Sequence, residues 1–316
     1  MLSVKQEGVN TMDSEKLLKR LVKPTGNIDV VIDTDTFNEI DDQYALSLLI
    51  KSSDKLNLKA IYAAPFFNEK SFGPEDGMEK SYQEILNIIK LCKREDYEKI
   101  TYKGSRNYLV DEEQPVDSPA ARNLVELAME REEDNPLYVV AIGAITNIAS
   151  AILMEPGIIE KIVVIWLGGN AHEWMDNREF NLHQDVAAAR VVFGCSVPLV
   201  QLPCAGVVSS FYTTGPELTY WLKGRNSLCD YLVETTVREG ETMGDSFCWS
   251  RVIWDVTAVA WLLDGDYMQD RLEHSPIPEY DGHYAFDKRR HFIRYVYAIN
   301  RDKLFEKLIK TLADLN

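Results

Sequence analysis

The feature that most constrains this chain is an alternation. From residue 28 onward, short apolar runs rich in β-branched residues recur, separated by stretches with helical periodicity. The runs are IDVVID (28–33), LKAIYAA (58–64), LYVVAIG (137–143), KIVVIWLGG (161–169) and VPLVQL (197–202). Nearly continuous apolar runs of this length suit strands covered on both faces. The stretches near 41–53, 78–95, 118–132, 145–154 and 183–194 are each long enough for a crossover helix. The pattern therefore predicts an α/β fold, a mainly parallel, doubly wound, Rossmann-like sheet with helices on both faces. Residues 217–240 and 250–263 read as two further helices, the second so apolar (VIWDVTAVAWLL) that it must be largely buried. Short strands at about 283–287 and 292–299 and an amphipathic last helix in KLFEKLIKTLADL make a small C-terminal appendage. No linker, repeat or low-complexity tract interrupts the 316 residues. One domain over 28–316 is expected, after an N-terminal extension, 1–27, that frays and holds one short helix.

Charge and cysteine usage narrow the partners. Fifty acidic residues against 34 basic ones leave a formal charge of −16, which repels polyanions and makes nucleic acid and anionic membranes poor partners. No apolar run approaches the roughly 18 residues of a membrane span, and the first 27 residues lack the apolar core of a secretory signal. Cys92, Cys195, Cys204, Cys229 and Cys248 show no CxxC and no zinc spacing, the pattern of reduced thiols in a cytoplasmic protein. A small molecule is the partner that fits.

In open α/β sheets the working site lies beyond the carboxyl ends of the strands. The first strand runs into Asp33-Thr34-Asp35-Thr36-Phe37-Asn38-Glu39-Ile40-Asp41-Asp42, five carboxylates in ten residues. Like charges so close call for a hard cation with oxygen ligands; the alternative is a solvated acidic loop capping the helix that starts near Asp41. Asp255 is the second point, a carboxylate inside an apolar helix that needs either Arg251 or a metal as partner. The third is the loop Gly168–Asn181, whose amides, acids and aromatic rings could meet hydroxyls and a planar ring.

These residues carry a resemblance. The chain looks like the nucleoside hydrolase family, the inosine-uridine preferring N-ribohydrolases, from about residue 28 to the C-terminus. The family's opening Asp-x-Asp-Pro-Gly-x-Asp-Asp stands here as DTDTFNEIDD, with Thr36-Phe37 in place of Pro-Gly and five residues instead of three between Asp35 and Asp41. Its Gly-x-Leu-Thr-Asn-x-Ala stands as Gly143-Ala144-Ile145-Thr146-Asn147-Ile148-Ala149. Gly168-Gly169, Glu179-Phe180-Asn181 and Asp185 complete the order.

The resemblance implies hydrolysis of the N-glycosidic bond of a ribonucleoside. It implies a calcium ion (Ca2+) held by Asp35, Asp42, Asp255 and the backbone carbonyl of Ile142, with Asp35 taking a proton from the attacking water. Asp41, Asn68, Glu179 and Asn181 would bind ribose hydroxyls. Trp254 stands where many members carry a histidine that assists the departing base. A tryptophan delivers no proton at neutral pH, so Trp254, with Trp174 or His172 from the central loop, is expected in the base pocket as a stacking surface. A homodimer or homotetramer is expected. Two other readings fit parts of the chain. A ribose- or nucleoside-binding protein of the same fold could have lost catalysis, as the longer loop and Trp254 suggest. A haloacid-dehalogenase-like phosphatase would use Asp33 as nucleophile and Asp35 as acid, but the strand ending in Trp166-Leu167-Gly168-Gly169-Asn170 lacks the acidic pair it needs.

Overall fold

The computed structural model describes residues 12–132, 134–243 and 246–315. In chain order the elements are α1 (Ser14–Arg20), β1 (Ile28–Thr34), α2 (Asp41–Lys51), β2 (Leu56–Ala63), α3 (Pro74–Leu91), β3 (Thr101–Lys103), α4 (Pro119–Met129), β4 (Leu137–Ala141), α5 (Thr146–Met154), β5 (Ile162–Leu167), α6 (Phe180–Gln184), α7 (Val186–Gly194) and β6 (Leu199–Leu202). There follow β7 (Tyr212–Thr213), α8 (Gly215–Leu222), α9 (Ser227–Met243), β8 (Arg251–Val252), α10 (Val256–Trp261), β9 (Met268–His274), β10 (Ile277–Pro278), β11 (Tyr284–Ala285), β12 (Phe292–Ile299) and α11 (Arg301–Leu312).

The central sheet has eight strands in the order β3-β2-β1-β4-β5-β6-β12-β9. All neighbours pair in parallel except β12 with β9. The first six follow the doubly wound order, in which the chain reverses direction across the sheet between β1 and β4. Period-2 alternation then divides the strand residues between two cores. Val30, Ile32, Val140, Val163 and Ile165 point into one face with α2, α3 and α8 to α11. Val31, Val139, Val164 and Trp166 point into the other with α1, α4, α5 and α7. Because every one of these is buried to the last few per cent, both sheet faces demand apolar side chains, which is why the strands read as continuous runs.

Several expectations need correction. The helix expected over 217–240 is two, α8 and α9, separated around Gly224, whose φ of +77° suits glycine. The one expected over 183–194 breaks at Asp185, whose carboxylate caps α7 by accepting from Ala188 N at 2.9 Å. Residues 250–263 begin as a short strand, β8, and only become helical at Val256. Besides β8, four strands escaped the pattern, β7 and β10 with two residues each among them. β3 has three residues, and β9, reading MQDRLEH, is a largely exposed antiparallel edge where polar residues are normal. Of the C-terminal strands, β12 joins the main sheet and only β10 and β11 form a separate small hairpin. The part of the N-terminal extension within the described residues is docked rather than frayed: Leu17 and Leu21 are buried in the second core. Residues 1–11 lie outside the described residues.

Candidate active site at the strand-order reversal

The carboxyl ends of β1 and β4 face a cavity of about 420 Å³, within the range of small-molecule sites, roughly 300–1,000 Å³. It sits where the strand order reverses, the position at which two loops must diverge and leave a crevice. Of the expected site residues, Asp35, Asp41, Asp42, Asn68, Ile142, Glu179, Asn181, Trp254 and Asp255 all line it.

The floor is acidic and its side chains are buried. Asp41, Asp42 and Asp255 bring carboxylate oxygens within 4.8 Å of one another, all buried. Asp41 and Asp42 open α2, and Asp255 is the residue before α10, so two helix N-termini aim at the same point. Asp255 therefore stands at a helix end, not within a helix as its sequence context suggested. Asp42 accepts from the Thr34 hydroxyl. Asp35 stands beside the trio, 1% exposed, and neither of its carboxylate oxygens has a hydrogen-bond partner. Burial raises its pKa well above the usual carboxylate range, and the charges of Asp42 and Asp41 push it further. Asp42 and Asp255 are raised for the same reason, burial first and the neighbouring aspartates second. A glycine makes the approach possible: a Cβ on Gly143 would sit 3.2 Å from the Asp35 carboxyl and 3.0 Å from Ala64.

Such a set of crowded carboxylates is costly unless a cation offsets it. The donors are all oxygen, as a hard divalent ion prefers, and the unpartnered oxygens of Asp35 supply open lone pairs. The Ile142 carbonyl accepts from Asn181 Nδ2 at 3.2 Å and keeps a second lone pair, since a carbonyl has two. The residues present fit a cation.

The wall opposite is a hydrogen-bonding shelf. Glu179 caps α6, accepting from Asn181 N (2.8 Å), Leu182 N (2.9 Å) and Gly169 N (2.8 Å). Its pKa is raised by burial, and those three N–H groups act the other way. Gly169 takes φ +74°, and a Cβ there would come within 2.1 Å of the Tyr284 hydroxyl, so the Gly-Gly turn is required. Asn181 Nδ2 also donates to Leu167 O at 3.0 Å, which fixes its amide and leaves its Oδ1 for a ligand.

Three expectations resolve differently. Arg251 does not pair with Asp255; its Nη2 meets Glu39 at 3.4 Å and Glu239 at 3.7 Å. His172 is not among the cavity's lining residues: its ring packs against Tyr284, Phe286 and Tyr295, and Nε2 is 3.0 Å from Gln201 Oε1. Trp174, half exposed, lies against Gly206 outside that lining. Sequence reasoning missed Asn38, Glu39, Asn170 and Cys204, which do line it. The lengthened loop was the available signal for the first two. Asn170 was signalled by the Gly-Gly turn it follows; nothing marked Cys204. The Gly143–Ala149 motif acts one step behind the cavity. Asn147 Nδ2 donates to Asp33 at 2.7 Å, and Thr146 Oγ1 donates to Asp185 at 2.7 Å. Asp33, buried and raised to about 7 by desolvation, is thus a braced neighbour of Asp35.

The comparisons with known proteins agree with this geometry. Residues 30–306 match the family profile described as inosine-uridine preferring nucleoside hydrolase. A stretch of 72 residues is 42% identical to pyrimidine-specific ribonucleoside hydrolase RihB of Escherichia coli O1:K1 / APEC, covering 22% of this chain and 23% of that protein. The chain thus spans less than a quarter of the length of that relative. Among solved structures it is similar to a purine-preferring ribonucleoside hydrolase from Gardnerella vaginalis, with a TM-score of 0.72, 19% identity and coverage of 91% of this chain and 98% of that one. It is also similar to the effector protein XOO4466, with a TM-score of 0.66, 15% identity and coverage of 95% and 97%. At such identities the structures speak for the fold. The family match, over more than four-fifths of the chain, speaks for more: the chain belongs to the inosine-uridine preferring nucleoside hydrolase family.

Proposed function

We propose that this protein hydrolyses the N-glycosidic bond of a ribonucleoside, releasing ribose and free base, with calcium as its metal. The observation that carries this reading is the unpartnered Asp35 carboxylate beside the buried Asp41–Asp42–Asp255 trio at the strand-order reversal. Asp35, Asp42, Asp255 and the Ile142 carbonyl would hold the cation, which when bound would supply Lewis acidity toward a water. Asp35, whose oxygens are committed to no protein donor, takes the water's proton. Asp41, Asn68, Glu179 and Asn181 receive the ribose hydroxyls. Asn68 is suited to this because its Oδ1 and Nδ2 are fixed by Lys70 N (2.9 Å) and Asn38 Oδ1 (2.7 Å). As the bond breaks, the sugar gains oxocarbenium character that the surrounding carboxylates stabilise.

Trp254, packed by one side against the core and lining the cavity with the rest, is the surface on which the base lies, and a large aromatic face favours the larger purine ring. Residues 28–316 form the catalytic domain, and 1–27 an extension. The five unpaired cysteines favour a reducing compartment, and we assign the protein to the cytoplasm, in nucleoside salvage. Self-association as a homodimer or homotetramer rests on the family resemblance; light scattering reads it directly. No helix among the described residues is long and apolar enough to cross a membrane.

The test is ribose release from inosine, adenosine, guanosine, uridine and cytidine, each with Ca2+ and again with chelator. Release that chelator abolishes is the expected result. Binding of nucleosides without release from any of them would replace this reading with that of a non-catalytic binding protein.

A further inference from the structure

The cavity is chemically one-sided. Its floor and wall carry Asp35, Asp41, Asp42, Glu179 and Asp255, its mouth adds Glu39 and Glu69, and none of its lining residues is a lysine, arginine or histidine. The cations that touch this rim are engaged from outside: Arg251 with Glu39 and Glu239, and Lys70 with Glu239 at 2.9 Å. Both cations meet Glu239, which lies outside the lining, so every charged side chain of the lining itself is acidic.

The second observation is that no histidine, tyrosine or lysine lines the cavity, whose titratable side chains are its carboxylates and Cys204. A neutral nucleoside sheds its base as an anion unless a proton arrives while the bond breaks. Trp254 offers none, His172 is enclosed by aromatic rings away from the lining, and the lining has no tyrosine or lysine either. An indole face does attract cations.

Resting on the N-ribohydrolase reading, we infer that the preferred substrates are ribosides whose base already bears a positive charge, N-ribosylpyridinium compounds or N7-alkylated purine nucleosides, with Trp254 and Glu39 receiving the charged ring. Water adds to C1′ as the C1′–N bond breaks, and the electron pair of that bond neutralises the ring cation. The base departs as a neutral molecule. The one proton to place is the water's, which Asp35 takes and passes to solvent. The cavity then needs no acid, and its negative mouth selects for the substrate instead of against it.

A cationic riboside is more labile on any catalyst, so a rate comparison alone is not decisive. The discriminating measurement is binding of the 1-methylnicotinamide cation against neutral nicotinamide to the Ca2+-loaded protein, by calorimetry and tryptophan fluorescence. It is set beside ribose release from nicotinamide riboside and inosine. The cation is expected to bind at least about tenfold more tightly. Glu39→Gln and, at an exposed position that tolerates exchange, Glu69→Gln are each expected to shrink both the binding ratio and the riboside rate ratio several-fold. Equal binding of the two bases, or ratios that neither variant moves while inosine is turned over, would overturn this inference and leave the N-ribohydrolase reading intact. Absence of ribose release from every riboside would take down both.

Discussion

The floor of the cavity is held by backbone, whereas its rim is held by side chains that meet across long stretches of chain. On the floor, Asp35 and Ile142 sit just past the ends of two adjacent parallel strands, and Asp41, Asp42 and Asp255 at two helix N-termini. Their positions follow once the sheet has formed. On the rim, Lys70 Nζ reaches Asn38 O at 2.6 Å and Glu239 Oε1 at 2.9 Å, and Arg251 bridges Glu39 and Glu239. These pairs tie the β1–α2 loop and the loop after β2 to α9. A sheet terminus is rigid and places charge accurately, which a reaction needs; an ion-paired rim is adjustable, which suits selection among ligands.

The largest expected effect is on the floor. Asp35→Asn keeps the shape and removes the base, so turnover should fall by about 10²–10⁴ while circular dichroism and Tm stay near wild type. Ribose release within a few-fold of wild type would show that the proton goes elsewhere. Next comes the cation itself. Ca2+ at a hundred times its Kd should stabilise the folded protein by about 2.7 kcal/mol, read as a rise in Tm. Asp255→Asn should abolish that rise, and an undiminished shift in the variant would place the ion away from the floor.

That contrast also explains what was legible in advance. The strand runs, the acidic loop and Asp255 could be found in sequence, because burial on both sheet faces and local carboxylate density leave marks in a few adjacent residues, whereas Glu179 and Asn181 were reached only through the family resemblance. The break before α10 was not visible, since the apolar pattern of VIWDVTAVAWLL continues on both sides of Asp255 and the turn accompanies the pairing of β8 with β7 far upstream. The partners of Arg251 were misjudged for a related reason. Sequence proximity proposed Asp255, but Glu39 and Glu239 come to it through tertiary packing. His172 could not be placed either, because its aromatic enclosure is assembled from Tyr284, Phe286 and Tyr295, more than a hundred residues away.

A smaller effect is expected from the rim. Lys70→Met removes a partly buried ion pair and the bond that steadies Asn38 O. If the rim selects and the floor reacts, KM should rise about three- to tenfold, corresponding to roughly 1 kcal/mol of binding, with kcat little changed. A fall in kcat at constant KM would mean that the rim takes part in the reaction, and the division drawn above would fail.

The smallest effect lies away from both regions and bears on how far acid sensitivity belongs to the cavity. His291 precedes β12 at the amino end of its strand, with Nδ1 3.2 Å from Ser196 Oγ and Nε2 buried without a partner. Burial lowers its pKa to about 4, helped by Arg290 next to it. In the unfolded chain the imidazole binds a proton near pH 6.5, so between about 6.5 and 4 the unfolded state holds the extra proton and folding stability falls as pH falls. Above pH 6.5 the penalty is absent, and below 4 it is constant. The full shift corresponds to at most about 3 kcal/mol, reduced because the ring is partly exposed. His291→Gln should therefore gain stability relative to wild type between pH 6.5 and 4, with the carboxylates of the cavity cancelling in the difference. Urea unfolding of both proteins at pH 7 and pH 4.5 measures it. A difference that does not change with pH would assign acid sensitivity to the floor alone.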